Sequence, residues 1–379
     1  MDPKQKWLML AVSYFMNFSY LFAMQSYPPV ISDIMKTFGI SYGQAGLLMS
    51  IMGLSGIFLA LPCWGLIAKW GLKRVGGLGL FICTLGALVT LMSNSFILFG
   101  IGRFMLGVGG VLTTVSSFSI VPLWFAEKDM GKAMGIKALD MSTATVITFN
   151  LYPIIASYYG WRFSFMSSTV VLLASMVSFL LVFEETPQEQ GVSTFEGIAN
   201  PQVWILGAIW AFFNMSIISF TTWAGTFFIE SKGVPINLAF FMASLSMLIS
   251  VLLAPFVGAL SDKVRKRKVF IVTSSVGMAV SLLFIARLSL PFLFLPVLSF
   301  AVATPFLPVN VFSLSSQILS SERAGLSFGV LFTGNYIGAL LGPLLTGYTR
   351  DVFPEFSSFF VIAIFSFLTF LSASLLRTR

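Results

Sequence analysis

The sequence predicts an all-α integral membrane protein, with twelve transmembrane helices arranged as two pseudo-symmetric six-helix bundles. Three observations lead there. Of 379 residues, 57% are hydrophobic and 9% charged, with 41 Phe and no His, whereas soluble domains run near a quarter charged. The apolar residues gather in a dozen windows, each close to the roughly twenty residues that cross a hydrocarbon core. The second half of the chain also repeats landmarks of the first at a shift of 193 to 194 residues. Barrel strands are excluded, because these runs lack two-residue alternation. Little chain is left for a soluble catalytic or nucleic-acid-binding domain, so no nucleic-acid partner is expected. The net charge of +8 reads as membrane topology.

The first window spans about 7–31 and is followed by no small-residue cleavage site, so it is a helix and not a removed leader. Gly, Pro or charge then separate windows at about 44–67, 75–93, 96–123, 133–157, 163–183, 203–229, 238–260, 269–288, 292–314, 328–347 and 357–376. The expected bundles are 1–183 and 203–379, joined by a cytoplasmic linker over 184–202 that carries Glu184, Glu185, Glu189 and Glu196. Loops on one side hold 15 Lys and Arg and loops on the other hold 5 (Lys36, Arg162, Lys232, Arg287 and Arg350), while Arg103 and Lys137 fall inside spans. Positive loops stay cytoplasmic, so both termini are expected there, in an inner or plasma membrane. Cys63 and Cys83 lie in apolar runs without ligand spacing and are expected to be packing residues. No cofactor and no metal site is expected.

The repeat pairs Gly39-Ile40 with Gly233-Val234, Pro62 and Gly65 with Pro255 and Gly258, Lys69 with Lys263, and Gly131 and Gly135 with Gly325 and Gly329. Two parallel repeats imply a pseudo-two-fold axis along the membrane normal and a pathway between the halves. After the eighth window the chain reads Gly258-Ala259-Leu260-Ser261-Asp262-Lys263-Val264-Arg265-Lys266-Arg267-Lys268. This resembles the signature loop G-x-L-a-D-r-x-G-r-r of the major facilitator superfamily. An Asp there can meet the free N–H groups at the start of a neighbouring helix, and the cations suit anionic headgroups. The first-half copy, Gly65-Leu66-Ile67-Ala68-Lys69-Trp70-Gly71-Leu72-Lys73-Arg74, lacks the acid, and the rise of the shift from 193 to 194 across it fits a deleted Asp. Gly65, Gly258, Asp262 and Arg265 are the candidate conformational latch.

Further stretches resemble the same superfamily: Arg103 to Gly110 its R-x-x-x-G-x-G-g fourth helix, Gly131 to Gly135 its loop into the fifth, Gly160-Trp161-Arg162-Phe163-Ser164-Phe165 its turn into the sixth, and Gly338 to Gly347 its Gly/Pro-rich eleventh. The resemblance covers nearly the whole chain and implies alternating access by a secondary transporter, functional as a monomer and not an enzyme. The fifth-helix pattern G-x-x-x-G-P-x-x-G-G of many antiporters is missing from Asp140 to Pro153, which counts against a drug/proton antiporter.

Charge inside a bilayer is costly and marks function. Three residues qualify: Arg103, Lys137 and Asp140. At about 1.5 Å per residue, Arg103 and Asp140 fall within roughly 7 Å of each other in depth. Two arrangements fit. Arg103 pairs with Asp140 across neighbouring helices while Lys137 snorkels outward, or Arg103 and Lys137 hold an anionic solute with Asp140 as the proton-coupling acid. With no imidazole in the chain, Asp140 is the mid-membrane group available to a coupling proton. Asn17, Tyr20, Asn214, Thr221, Asn310 and Asn335 are the neutral candidates for solute binding, with interhelical hydrogen bonding as their alternative role. Asp33, Glu230, Asp351 and Glu355 are expected to be solvated caps. The leading expectation is transport of a small polar, anionic organic solute. Export of hydrophobic compounds (drug efflux) and a non-transporting sensor or receptor are the alternatives.

Overall fold

The computed structural model describes residues 3–125, 127–184, 200–318, 324–354 and 357–377. Most of the expected linker, together with Glu355 and Arg323, lies outside them. Among the described residues there is helix and no strand, and ten stretches are long and apolar enough to cross a membrane. The two remaining windows are the fifth, which is broken, and the twelfth, which holds a helix of 17 residues.

The first window is α1 (Pro3–Gln25), which ends sooner than its hydrophobicity suggests. Pro28 and Pro29 have no N–H to continue it, so a short 3₁₀ turn leads into α2 (Ile31–Phe38). Then follow α3 (Tyr42–Trp70), α4 (Leu72–Met92) and α5 (Phe96–Trp124), whose first turn is capped by Ser95 accepting from the Leu98 N–H. The fifth window is α6 (Glu127–Lys137) and α7 (Asp140–Tyr159), and the sixth is α8 (Trp161–Val182). Asn200 caps α9 (Pro201–Lys232) with Pro201 at its first position. After it come α10 (Ile236–Val264), α11 (Arg267–Arg287), α12 (Leu290–Ala303) and α13 (Phe306–Ile318), the last two dividing the tenth window at Pro305. The chain ends on α14 (Ala324–Val352) and α15 (Ser358–Ser374).

Two compact units result. One comprises the described residues of Met1–Ile40 and Leu54–Gly191, the other those of Ser41–Gly53 and Val192–Arg379. In the first unit α4 lies against α5 through facing glycines: a Cβ on Gly109 would stand 2.5 Å from the backbone N of Cys83 and the O of Gly79. Cys83 is buried at that seam with its thiol on the Leu106 carbonyl. In the second unit Gly334, Gly338 and Gly342 of α14 meet the backbone of α9 in the same way. Large apolar side chains such as Phe58, Phe256, Leu181 and Leu295 point outward, as a lipid-facing surface requires. Ser and Thr are buried in number, many returning a hydroxyl to the carbonyl four residues earlier.

The repeat is visible in the backbone. Gly39 and Gly233, 194 residues apart, both end their helices in the left-handed conformation, at φ 62° and 65°. Gly71 and Arg265 are separated by the same interval and also have positive φ, 84° and 58°. Arg265 thus stands where the signature loop has Gly, and among the described residues it alone of the non-glycines has φ > 0. Because a Cβ disfavours that region by about 1 kcal/mol, Arg265→Gly is expected to raise stability by that amount. Thermal unfolding of the purified protein checks it, and a lowered midpoint contradicts it.

Several cations cap helix ends, where the last carbonyls lack partners. Arg162 donates to Ser93 O (2.8 Å) after α4, Lys232 to Ala286 O and Leu288 O (2.8 and 2.9 Å) after α11, and Lys268 to Ser374 O and Leu376 O (2.9 and 2.5 Å) after α15. Two of the basic residues that run against the loop bias, Arg162 and Lys232, have this explanation.

Candidate functional site

The fifth window breaks where its charges sit. Lys137 closes α6, Ala138 and Leu139 make a turn, and Asp140 opens α7. At such a start the first amides have no helical partner. Asp140 Oδ1 accepts from the Met141 N–H at 2.6 Å, while its Oδ2 accepts from Lys137 Nζ (2.5 Å) and from Asn17 Nδ2 of α1 (2.6 Å). Thr114 of α5 donates to Asn17 Oδ1 at 2.8 Å, and the Lys137 ammonium lies 4.2 Å from the centre of the Phe118 ring, one turn along α5. Lys137, Asp140 and Asn17 are all buried. A buried pair persists only when hydrogen bonds take up its remaining valences. Here Asn17 of α1 and the Met141 amide of α7 supply them, while α5 adds the Phe118 ring and holds Asn17 through Thr114.

The same two segments are tied at either side of this point. Lys6 of α1 pairs with Asp129 of α6 at 2.7 Å, and Gln25 donates to Thr145 Oγ1 of α7 at 2.8 Å. Lys6–Asp129 and Asn17–Asp140 share one sequence offset, 123, as two parallel helices in register require.

The structural arrangement expected for the deep charges, an Arg103–Asp140 pair with Lys137 snorkelling, needs correction. Arg103 does not pair with Asp140, because α5 and α7 each pack on α1 rather than on one another. A third helix, α1, stands between them. Lys137 does not snorkel, since its side chain is fully buried on Asp140. Arg103 lies 4.9 Å over the Tyr27 ring and directs Nη1 at the carbonyls of Ala23 and Met24, at 3.5 and 3.4 Å. It caps the end of α1.

The neutral candidates separate. Asn17 joins the charged pair, while Tyr20 packs where its ring excludes any Cβ on Gly110. Asn214, Thr221 and Asn310 return their donors to carbonyls of their own helices, at Trp210, at Ile217 and Ile218, and at Phe306. Asn310 Oδ1 is buried without a partner, and Asn335 is half-buried on α14. These four belong to the second unit. At the candidate latch, Asp262 accepts from Arg267 Nη2 (2.8 Å), a side chain on the first residue of α11, in place of the expected backbone N–H groups. A Cβ at Gly65 or Gly258 would meet open space. Thr114, Phe118, Gln25 and Thr145 escaped the sequence reading. Only Gln25, an amide in an apolar window that also holds Asn17, carried a signal.

A family model described as the Major Facilitator Superfamily matches residues 13–253 and 233–379. Among curated proteins, the chain is 36% identical over 130 residues to the multidrug resistance protein MdtG of Dickeya zeae (strain Ech586), covering 34% of this chain and 31% of that one. It is 26% identical over 175 residues to the quinolone resistance protein NorB of Staphylococcus aureus (strain JH9), covering 46% and 36%. The chain thus spans about a third of the length of these relatives. Two crystal structures of a bacterial homolog to the human lysosomal transporter Spinster, both inward-facing, one unoccupied and one occupied, superpose with a TM-score of 0.81 over 99% of this chain and 98% of theirs, at 16% and 17% identity. At that identity the likeness is one of fold.

Proposed function

The chain belongs to the major facilitator superfamily, and from that premise we propose that it is a secondary transporter exporting amphipathic organic compounds, with the Lys137–Asp140 pair as its charge-coupled switch. As a superfamily member it is a multi-pass membrane transporter and not an enzyme. Export is the finer reading. The observation that carries it is how the deep charges are satisfied: Asp140 neutralises Lys137, and Arg103 is engaged with the last carbonyls of α1. Two cations converging on an anionic solute are therefore not in place, which moves the balance from anion uptake to export. The names of the relatives, multidrug and quinolone resistance, add support. Although the glycine-proline pattern of many antiporters is absent, the fifth span has its own irregularity in the two-residue turn between Lys137 and Asp140.

A proton on Asp140 would cancel the carboxylate that holds both Lys137 and Asn17. The released ammonium, buried without a counterion, would destabilise this conformation by several kcal/mol. That is enough to exchange two states separated by a few kcal/mol. In this reading both termini are cytoplasmic, the membrane is the inner or plasma membrane, and a monomer suffices.

Proteoliposomes loaded with a fluorescent quinolone or a cationic dye, under an imposed pH gradient, test it. The parent chain is expected to move the compound against its gradient. Asp140→Asn is expected to lose pH-driven movement and keep downhill exchange. Unchanged pH-driven export in that variant removes the proton role. Thermal stabilisation by organic carboxylates, with none by dyes or quinolones, replaces export by anion transport.

A further inference from the structure

The start of α3 is built on residues far away in sequence. Ser41 and Gln44 form a capping box, with the Ser41 N–H on Gln44 Oε1 (3.0 Å) and the Gln44 N–H on Ser41 Oγ (3.3 Å). The two amides between them are taken by another helix. Asp351, near the end of α14, accepts from the N–H groups of Tyr42 (2.9 Å) and Gly43 (2.7 Å) and from the Ser41 hydroxyl (2.6 Å). Its carboxylate also meets the positive end of the α3 dipole. Glu230 of α9 accepts from Tyr42 Oη at 2.7 Å, and Arg350 lies 5.8 Å from the ring centres of Tyr42 and Phe227. Asp351 is an exposed cap, and the helix it caps is α3.

Below the cap the contact is narrow and made of small residues. Gly43, Gly46, Ser50 and Gly53 follow one another at intervals of three or four and so share a helix face. A Cβ on Gly46 would fall 2.5 Å from Pro343 O, and one on Gly53 2.8 Å from Leu340 N. Ser50 Oγ accepts from the Leu344 N–H at 3.1 Å. Such a stripe holds by close approach, and at its head the Tyr42 ring lies against Trp223 and Phe227 of α9, 5.9 and 6.4 Å between ring centres. The compact-unit boundary falls at its end, between Gly53 and Leu54, inside a continuous helix.

We propose that Asp351 is a releasable latch: as a cap supplied by α14, its carboxylate holds Ser41–Gly53 within the second unit, and losing that cap frees these turns of α3 as one piece. The residues involved are distinct from the Lys137–Asp140 site, and the latch does not depend on which solute is carried.

Ser50 is fully buried, which makes it the reporter. The full chain carrying Ser50→Cys, with Cys63→Ser and Cys83→Ser, is placed in nanodiscs and its rate of reaction with a polar maleimide is measured. The parent reporter is expected to react slowly, and adding Asp351→Ala to speed it about tenfold, the size of effect a helix cap carries. Asp351→Asn keeps an acceptor oxygen and is expected to stay within about threefold of the parent, since Asn caps almost as well as Asp. General loosening is monitored at Cys83, buried in the first unit, in a chain with Cys63→Ser and Ser50 intact. It is expected to stay unreactive in Asp351→Ala. The latch is overturned by an unchanged Ser50→Cys rate in Asp351→Ala, by Asp351→Asn reacting as fast as Asp351→Ala, or by Cys83 becoming reactive alongside.

Discussion

Lys137→Met is expected to destabilise the protein by about 3–5 kcal/mol, because it leaves the Asp140 carboxylate buried with no cation. Asn17 and the Met141 amide remain as donors to it, but neither carries charge. The double variant Lys137→Met/Asp140→Asn is expected to recover most of the loss. It removes both charges while keeping an amide that Asn17 can meet, and replacing a whole buried pair is often close to neutral. Thermal unfolding of the two variants and the parent in one detergent distinguishes the cases. If the single variant is as stable as the double, the pair has no structural role and its carboxylate must be satisfied by other means. A double variant that folds normally but no longer responds to a pH gradient would separate the pair's contribution to stability from its contribution to coupling.

Gly109→Ala is expected to cost about 3 kcal/mol or more, at the upper end of overpacking penalties. The obstacle at Gly109 is backbone, the Cys83 amide and the Gly79 carbonyl, each 2.5 Å from the added carbon. No rotamer change relieves that, so α4 and α5 must move apart along their shared seam. Gly65→Ala is the matched control. Its Cβ meets nothing within 4 Å, so the better helix former is expected to be neutral or to gain up to about 1 kcal/mol. Folded yield and unfolding midpoint of the two variants are the measurements. Equal effects at the two sites would mean that α4 and α5 are not in backbone contact.

The contrast between these glycines shows what the sequence could convey. Apolar windows, the two-fold repeat and the position of each charge along its helix are one-dimensional properties, and the chain states them directly. The expectation that Arg103 and Asp140 lie at similar depth rests on rise per residue alone. Which helix stands beside which does not, since α1 enters between α5 and α7 only through packing. Helix caps supplied from afar were equally hidden. Arg103, Arg162, Lys232 and Asp351 all bond to main-chain groups of other segments, and a main-chain partner leaves no trace in residue identity. The Lys137–Asp140 pair was legible as two charges three residues apart. Its burial against Phe118 and Thr114 was not, because Thr and Phe in an apolar span look like ordinary lining.

The capped start of α3 also has a consequence for synthesis. Ser41 is made 310 residues before Asp351, the acid that will hold it. At about 5–20 residues per second, that interval lasts roughly 15–60 s. Throughout it the glycine stripe of Gly43, Gly46 and Gly53 sits in the bilayer without the α14 backbone it will eventually meet. During that wait it is a landing place for any other small-residue helix leaving the translocon. The Ser41–Gln44 box, made of residues three apart, can close at once. It keeps the helix start in order until the last quarter of the chain arrives.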